Sequence, residues 1–296
     1  MTRAAGVDYV KYDYCGMDNV SLPTRHYYER MSAAMNATGR PMVFSICSWG
    51  LGEPHQWGAD VGHSWRTDTD LFAVWDEPTA RGVLRLPKMF GSVMAAVERQ
   101  AHLAPYARPG GFNDLDMLVV GLSGMSAYGT VDASDCPPHL PSFYCKPGQA
   151  VTREMWGEVG GLTLTEQRAH FSLWCMLSSP LMLGNDPRTV SRATLRILTA
   201  PGLIAISQDA LAKQAERIWS DGPRQIWRKD LSDGSRAMLL FNNGGSPVDI
   251  TMRWERDLSE AALPWRRSVA REPPCRDIHE RKFCIYTARS GRCDTD

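Results

Sequence analysis

Asp13 and Asp70 stand 57 positions apart, and each closes a run that reads as a β-strand: GVDYVKYD for the first and HSWRTDTD for the second. Two strands of one parallel sheet would carry both carboxylates to the same edge. A close pair of carboxylates suits glycosidic bond cleavage, one attacking the anomeric carbon and the other protonating the leaving oxygen. The two then need different surroundings, because one must stay ionised and the other must hold a proton. Lys11 shares a strand face with Asp13, since side chains repeat every second residue, and its ammonium would favour the ionised carboxylate. The same parity puts Arg66, Asp68 and Asp70 on one face. Two other readings stay open at this level. The carboxylates could sit in ordinary strand-end salt bridges. Asp68-Thr69-Asp70, like Asp114-Leu115-Asp116, could instead be an Asp-x-Asp triplet that holds a divalent cation and a nucleotide-sugar phosphate, although no Gly-rich phosphate loop follows any strand.

The elements that must position these residues alternate along the chain. Strand-like runs cover Val7–Asp13, Arg40–Cys47, His63–Asp70, Gly111–Val120 and Ser179–Asp186. Helical spacing covers Arg25–Gly39, Leu86–Pro105, Leu164–Leu177 with Thr165 as N-cap, and Thr189–Leu198. Such alternation argues for parallel strands joined by crossover helices, an α/β arrangement in which functional groups gather at the C-terminal strand ends. After Gln208 the texture changes. Short strands broken by Asp233-Gly234 and Gly244-Gly245 predict a small antiparallel β domain from Ile218 to about Ala270. Asp76–Gly82 and Ser123–Gly160 read as long loops of the kind that shape a binding site.

The 296 residues carry 33 basic and 33 acidic side chains, so no basic stripe points to nucleic acid. No run of eighteen apolar residues points to a membrane span, and no signal peptide is visible. The eight cysteines include no CxxC pair, which argues against structural zinc. Two sequons, at Asn19 and Asn36, and three cysteines near the tail favour an oxidising route: a secreted, vacuolar or lysosomal glycoprotein.

VKYDYC, RPMVFSICSWG, HSWRTDTDLFAVW, GGFNDLDMLVVG and AISQDALAKQ occur in an order and strand context that resemble the α-galactosidase and α-N-acetylgalactosaminidase family, glycoside hydrolase family 27. The resemblance runs from about Gly6 to Trp254. It implies a retaining glycosidase on a (β/α)8 TIM-type barrel followed by an antiparallel β domain, acting on terminal α-linked galactose by double displacement. It implies no cofactor and no metal, since two carboxylates suffice for this chemistry. Residue by residue, Asp13 resembles the nucleophile and Asp70 the general acid/base. Lys11 and Arg66 resemble ligands of the sugar hydroxyls. Cys47 and Ser48 fall at the substrate-binding end of the second strand. Trp49 resembles an aromatic wall for the sugar ring, and Asp116 and Met117 resemble pocket-lining residues. The expected partner is an α-galactoside carbohydrate, with a homodimer left open.

Three departures from the family pattern carry expectations of their own. Ser48 stands where many α-galactosidases resemble one another in having glutamate, and a short hydroxyl leaves room for a 2-acetamido group; α-N-acetylgalactosaminidase is therefore an alternative. The motifs of the earlier strands, and the upstream partner that the resemblance implies for Cys15, are missing. The expected division is a partial barrel over 1–212 holding about strands 4–8, an antiparallel domain over 213–270, and a partial cysteine-rich module over 271–296. An open barrel of this kind leaves two sheet edges exposed, so an inactive fragment or a non-catalytic carbohydrate-binding relative is a further alternative. The tail, Cys275–Cys293, resembles the first half of a ShK-toxin-like domain.

Overall fold

The structure, a computed structural model, describes residues 6–15, 22–76, 90–122, 161–252 and 283–287. The expected loop Ser123–Gly160, with Cys136 and Cys145, lies outside the described residues, as does all but the first residue of Asp76–Gly82.

The first four runs form a parallel sheet. Its strands are β1 (Tyr9–Asp13), β2 (Val43–Cys47), β3 (Ser64–Arg66) and β6 (Phe112–Asp114), in the order β1-β2-β3-β6. The register makes a row of Tyr12, Ile46, Trp65 and Asn113, and the next row up holds Asp13, Cys47, Arg66 and Asp114. The two rows face opposite ways. Phe44, Ile46 and Trp65 turn outward onto Tyr28 and Met35 of α1 (Thr24–Asn36) and Trp57 and Val61 of α2 (Pro54–Val61). The sequence reading missed α2, which begins at a helix-compatible Pro54. Strand β1 is an edge strand on which Tyr9 and Tyr12 are exposed.

Three expected elements come out differently. The run His63–Asp70 leaves the sheet after Arg66, and Asp70–Leu71 forms β4, which pairs with β5 (Phe90–Gly91) in a separate two-stranded sheet. Gly111–Val120 keeps strand geometry only to Asp114, because Asp116 takes a positive φ of 83°. Ser179–Asp186 shrinks to one parallel bridge, Leu183 to Leu118. The helix expected from Leu86 is α3 (Val93–Gln100), capped by the Ser92 hydroxyl, which accepts from the Ala95 N–H.

Helix α4 (Leu164–Met176) starts at Thr163 rather than Thr165. Thr163 and Glu166 form a reciprocal capping box, which satisfies two otherwise orphaned N–H groups. His170 to Met176 are all buried, so this helix is covered on every side. Helices α5 (Arg192–Leu198) and α6 (Pro201–Ser207) follow. The antiparallel sheet then runs β10-β9-β8-β7, from β7 (Glu216–Asp221), β8 (Arg224–Asp230), β9 (Arg236–Asn242) and β10 (Phe283–Thr287). Gly234 turns between β8 and β9 with φ 79°, as the Asp-Gly signal predicts. Strand β10 places Cys284 opposite Leu240, inside this larger sheet, while Cys275 and Cys293 lie outside the described residues.

One core joins the two sheets. Leu115, Leu118 and Val119 pack with Phe171 and Trp174 of α4 and with Trp227, Leu239 and Phe241 of β8 and β9. The opposite face of the antiparallel sheet buries Ile226, Met238 and Leu240 with Ile250. Among the described residues, no helix is long and apolar enough to cross a membrane.

Candidate active site

The row Asp13, Cys47, Arg66 and Asp114 ends four adjacent parallel strands, so backbone register alone brings these residues together. Asp13 is exposed at the tip of β1 and its Oδ1 accepts the Tyr14 N–H at 3.2 Å. Two cysteines adjoin it, Cys47 as its register partner on β2 and Cys15 two residues on. Desolvation, reinforced by Asp13, pushes the Cys15 thiol up. Burial pushes Cys47 up more strongly, against the nearby cations Arg66 and Lys11. Both sulfurs therefore stay protonated beside Asp13. Neither is in a disulfide; Cys15 is exposed and Cys47 buried.

Arg66 organises the opposite end of the row. Its side chain is 1% exposed. Nη1 meets Asp116 Oδ1 at 3.1 Å and Cys47 Sγ at 3.7 Å. Nη2 donates to the carbonyls of Thr69 at 2.7 Å and Asp68 at 3.1 Å, and to Asp70 Oδ1 at 3.3 Å. Burial alone would weaken the guanidinium charge, but Asp116, with Asp114 and Asp70, more than offsets it and raises its affinity for the proton. A planar fork suits this many acceptors. The two expected carboxylates thus flank one pair of side chains: Asp13 stands beside Cys47 in the strand register, Cys47 meets Arg66, and Arg66 meets Asp70. Both also act on the charge of Cys15.

The parity argument for Asp68 fails, because the strand stops at Arg66. The Asp68 carboxylate turns to Arg99 of α3, with Oδ2 at 2.9 Å from Nε, while Asp70 stays on Arg66. The two acids of the Asp-x-Asp triplet therefore diverge onto different arginines instead of converging on one cation.

Asp116 binds the loop after β6 to the Asp70 segment. Oδ2 accepts the Leu71 N–H at 2.9 Å, its own N–H donates to Asp114 Oδ1 at 2.8 Å, and its carbonyl accepts from Trp174 Nε1 at 2.9 Å. Both carboxylate oxygens thus have protein donors, an organising task that sequence reading did not assign. Asp114, read only as part of an ambiguous triplet, is buried. Desolvation raises its pKa in spite of Arg66. For Lys11, desolvation opposes the charge, and the carboxylates of Asp116 and Asp114 favour it, with the ammonium held above its ordinary range.

The residues after β2 form a tight turn. The Ser48 hydroxyl is buried and donates to the Leu51 carbonyl at 3.0 Å. Trp49 has a positive φ of 53°, and its ring meets Tyr14 edge-on at 6.3 Å, which sets it beside the residue that follows Asp13. Met117 is partly buried against the shared core, close to Gly184. Strained backbone at Trp49 and Asp116 marks both flanks of the row, where such strain is commonly held for function.

Comparison with known proteins points one way. Residues 2–133 match a family profile described as alpha galactosidase A, and residues 221–282 match one described as the alpha galactosidase C-terminal beta sandwich domain. The chain is 36% identical over 249 residues to alpha-galactosidase A of Cellvibrio japonicus, covering 84% of this chain and 51% of that protein. It is 37% identical over 251 residues to a probable alpha-galactosidase of Dictyostelium discoideum, again covering 84% and 51%. Among solved structures, it aligns to an alpha-galactosidase from Saccharomyces cerevisiae with a TM-score of 0.69 and 27% identity, over 89% of this chain and 54% of the other. The chain spans about half the length of the curated relatives it matches.

Proposed function

We propose that this chain, which belongs to the alpha-galactosidase family, carries the catalytic strand ends of a retaining glycoside hydrolase that releases terminal α-linked galactose. The observation that carries the reading is the single row of strand ends that sets Asp13, Cys47 and Arg66 side by side, with Arg66 reaching Asp70 at 3.3 Å.

Asp13, ionised and held by a backbone donor, attacks the anomeric carbon. Asp70 gives its proton to the departing glycosidic oxygen. The resulting galactosyl ester on Asp13 is then attacked by water, whose proton Asp70 takes, and the ester bond breaks to free Asp13 and galactose. A retaining reaction of this kind wants the carboxyl groups about 5 Å apart. Lys11 supplies charge to sugar hydroxyls beside Asp13, and Trp49 offers its face to the ring. Arg66, Cys47 and Asp116 hold the acids in place, and Met117 lines the floor.

A second sugar is favoured by one observation. The Ser48 hydroxyl folds back onto Leu51, so the end of β2 presents no carboxylate, and the space beside a sugar C2 suits an acetamido group. This supports N-acetylgalactosamine as the alternative. We further read 1–212 as barrel, 213–270 as β domain and 271–296 as a cysteine-rich tail. The placement is read as secreted or vacuolar. The ShK-like resemblance of the tail rests on the spacing of Cys275, Cys284 and Cys293, whereas the pairing of β10 draws Cys284 into the β domain.

Incubation with a 5-fluoro-α-galactosyl fluoride, followed by peptide mass spectrometry, tests the reading. A galactosyl adduct on the peptide bearing Asp13, absent from Asp13→Gly, is the expected result. An adduct elsewhere overturns the assignment of the nucleophile. Sugar binding with no adduct and no turnover favours a carbohydrate-binding relative.

A further inference from the structure

AISQDALAKQ ends in Gln214, and the site described above leaves this residue without a task. Gln214 lies in the connector between α6 and β7, 101 residues from Asn113, yet its side chain is buried inside the parallel-sheet half. Its Oε1 accepts from Asn113 Nδ2 at 2.9 Å, and its Nε2 donates to the Gln100 carbonyl at 2.9 Å. Asn113 spends its whole amide here: Oδ1 accepts from Trp65 Nε1 at 2.7 Å, and Nδ2 also donates to the Leu103 carbonyl at 2.8 Å. Gln100 Nε2 in turn donates to the Thr67 hydroxyl, and Thr67 donates to the Asp114 carbonyl through its N–H at 3.1 Å and its hydroxyl at 3.3 Å. Every one of these residues is buried.

The network touches the site at its anchor points. Trp65 and Thr67 flank Arg66, and Asn113 and Asp114 lead directly to Asp116. A single amide from the connector therefore ties Asn113 of β6 to the Gln100 carbonyl of α3, and those two residues carry the link on to Trp65 of β3 and to Thr67 just past it, while Arg66 and Asp116 pair on the other side. Gln214 is followed by Ala215, whose N–H donates to the Met176 carbonyl at the end of α4, and then by β7. The seat of the antiparallel sheet and the spacing of the strand ends are set at the same point.

We propose that Gln214 is a positioning residue for the Arg66–Asp70 end of the site, coupling the seating of the antiparallel sheet to the spacing of β3 and β6. Buried amide networks are worth more as a unit than as separate bonds, and leaving their members unpaired is costly. Removing the Gln214 amide takes one partner from the Asn113 amide and one from the Gln100 carbonyl together, leaving Asn113 with Trp65 and Leu103 and the carbonyl with the Leu103 N–H. Arg66 then loses the fixed distance to Asp116 on which its hold of Asp70 depends. The catalytic consequence rests on the galactosidase reading, but the structural coupling does not.

The experiment compares the full chain with Gln214→Met, which keeps the volume and removes both hydrogen bonds, and with Lys213→Met as a neighbouring surface control. Amide hydrogen exchange should speed up by about tenfold or more at Thr67, Leu71 and Asp116 in Gln214→Met. The amides of β8 and β9 should change by less than about twofold. Protection unchanged at the three site amides, or lost equally throughout, overturns the proposal. On an aryl α-galactoside, kcat should fall by about tenfold with KM nearly constant, and a stability loss with unchanged kcat also overturns it. Gln100→Met breaks the same relay at its other end and must reproduce the pattern. If neither variant folds, the unmodified protein decides: the side-chain amide protons of Gln214 and Asn113 must exchange as slowly as their neighbouring backbone, and fast exchange refutes the network. A wild-type chain that cleaves no galactoside sinks the functional reading alone, because the exchange measurements still test the coupling.

Discussion

Arg66 and Asp116 pair at 3.1 Å although one ends β3 and the other lies in the loop after β6, 50 positions on, and the same guanidinium holds Asp70 at 3.3 Å. The pair sets where the proposed acid stands, because Asp116 also takes the N–H of Leu71, the residue after Asp70. The position of Asp70 is thus fixed from its side chain and from its backbone by two partners that are fixed to each other.

Arg66→Lys should therefore cost far more activity than charge conservation suggests. A lysine ammonium has three donors on a flexible stem and lacks the planar fork that serves Asp116, Asp70 and two carbonyls. A displacement near 1 Å at a reacting group costs on the order of 100-fold in rate, and that is the expected fall in kcat/KM on an aryl α-galactoside. Activity within a factor of three of wild type would show that Arg66 does not position Asp70.

Asp114→Asn should be tolerated, and the effect should depend on pH. Burial raises the folded pKa of Asp114 above its ordinary value of 3.8. An unfolded chain then releases its proton first, so Asp114 lowers stability as pH rises from 3.8 through the folded pKa. An asparagine carries no charge and its oxygen still accepts the Asp116 N–H. The variant should gain stability relative to wild type on going from pH 4 to pH 7, read by urea midpoints at both. A relative loss over that range would show that the ionised carboxylate is needed as a counterion to Arg66.

Gly50→Ala should disturb the site from its rim. Gly50 has φ 80°, and a Cβ there would lie 2.5 Å from the Thr67 carbonyl oxygen, a backbone atom one residue past Arg66. Positive φ and the clash together should cost about 1–3 kcal/mol. Since Trp49 precedes it, KM for the galactoside should also rise. Thermal unfolding and initial rates read the two effects separately.

Lys229 offers a second pH test, remote from the strand ends. It is buried on β8, and its Nζ donates to the Ile206 carbonyl at 2.6 Å, the Ser178 hydroxyl at 2.6 Å and the Cys175 carbonyl at 3.2 Å. Burial lowers its pKa from 10.5 to about 8 despite the neighbouring Cys175 and Asp209. A depressed folded pKa means that stability falls as pH drops from 10.5 through about 8. Relative to Lys229→Met, the wild type should gain about 3 kcal/mol between pH 7.5 and 10.5, at 1.36 kcal/mol per pKa unit. Equal urea midpoint shifts in both proteins would exclude a depressed Lys229.

His170 should make the protein acid-sensitive. Its Nε2 accepts the Val119 N–H at 3.0 Å, and burial lowers its pKa from 6.5 to about 3. The stability it supplies is complete above pH 6.5 and drains away as pH falls toward 3. His170→Gln should flatten that part of the stability curve in circular-dichroism titrations, and an unchanged slope would assign the acid sensitivity to other groups.

Much of this was readable in the residues. Alternation in Val7–Asp13 and Arg40–Cys47 marks β1 and β2, and the Asp-Gly signal marks the β8–β9 turn, because these features are local. What was not readable depends on contacts across long separations. The chain leaves the sheet after Arg66 because its guanidinium gathers the Asp68 and Thr69 carbonyls, which turns a seemingly continuous strand into two pieces. Ser179–Asp186 has strand-like composition, but Gly184 lies against the Leu118 carbonyl and Met117, and only one bridge forms. The N-cap of α4 moved two residues because Glu166 reaches back to Thr163, a reciprocal pair visible as Thr-x-x-Glu but passed over in favour of Thr165. Asp116 and Ser48 carried residue types that suited sugar contact, and their protein partners, Leu71 and Leu51, appear only in three dimensions.

The indole of Trp65 lies between two glycines: a Cβ at Gly58 would come within 2.7 Å of its Cε3, and one at Gly111 within 3.0 Å of its Cη2. Helix and strand backbones clasp the ring directly, with no side chain between that might adjust. Anyone seeking to retune sugar preference by directed evolution should leave this clasp and the glycines of the next turn, Gly50 and Gly52, alone, and diversify Ser48 and the exposed Leu51 instead.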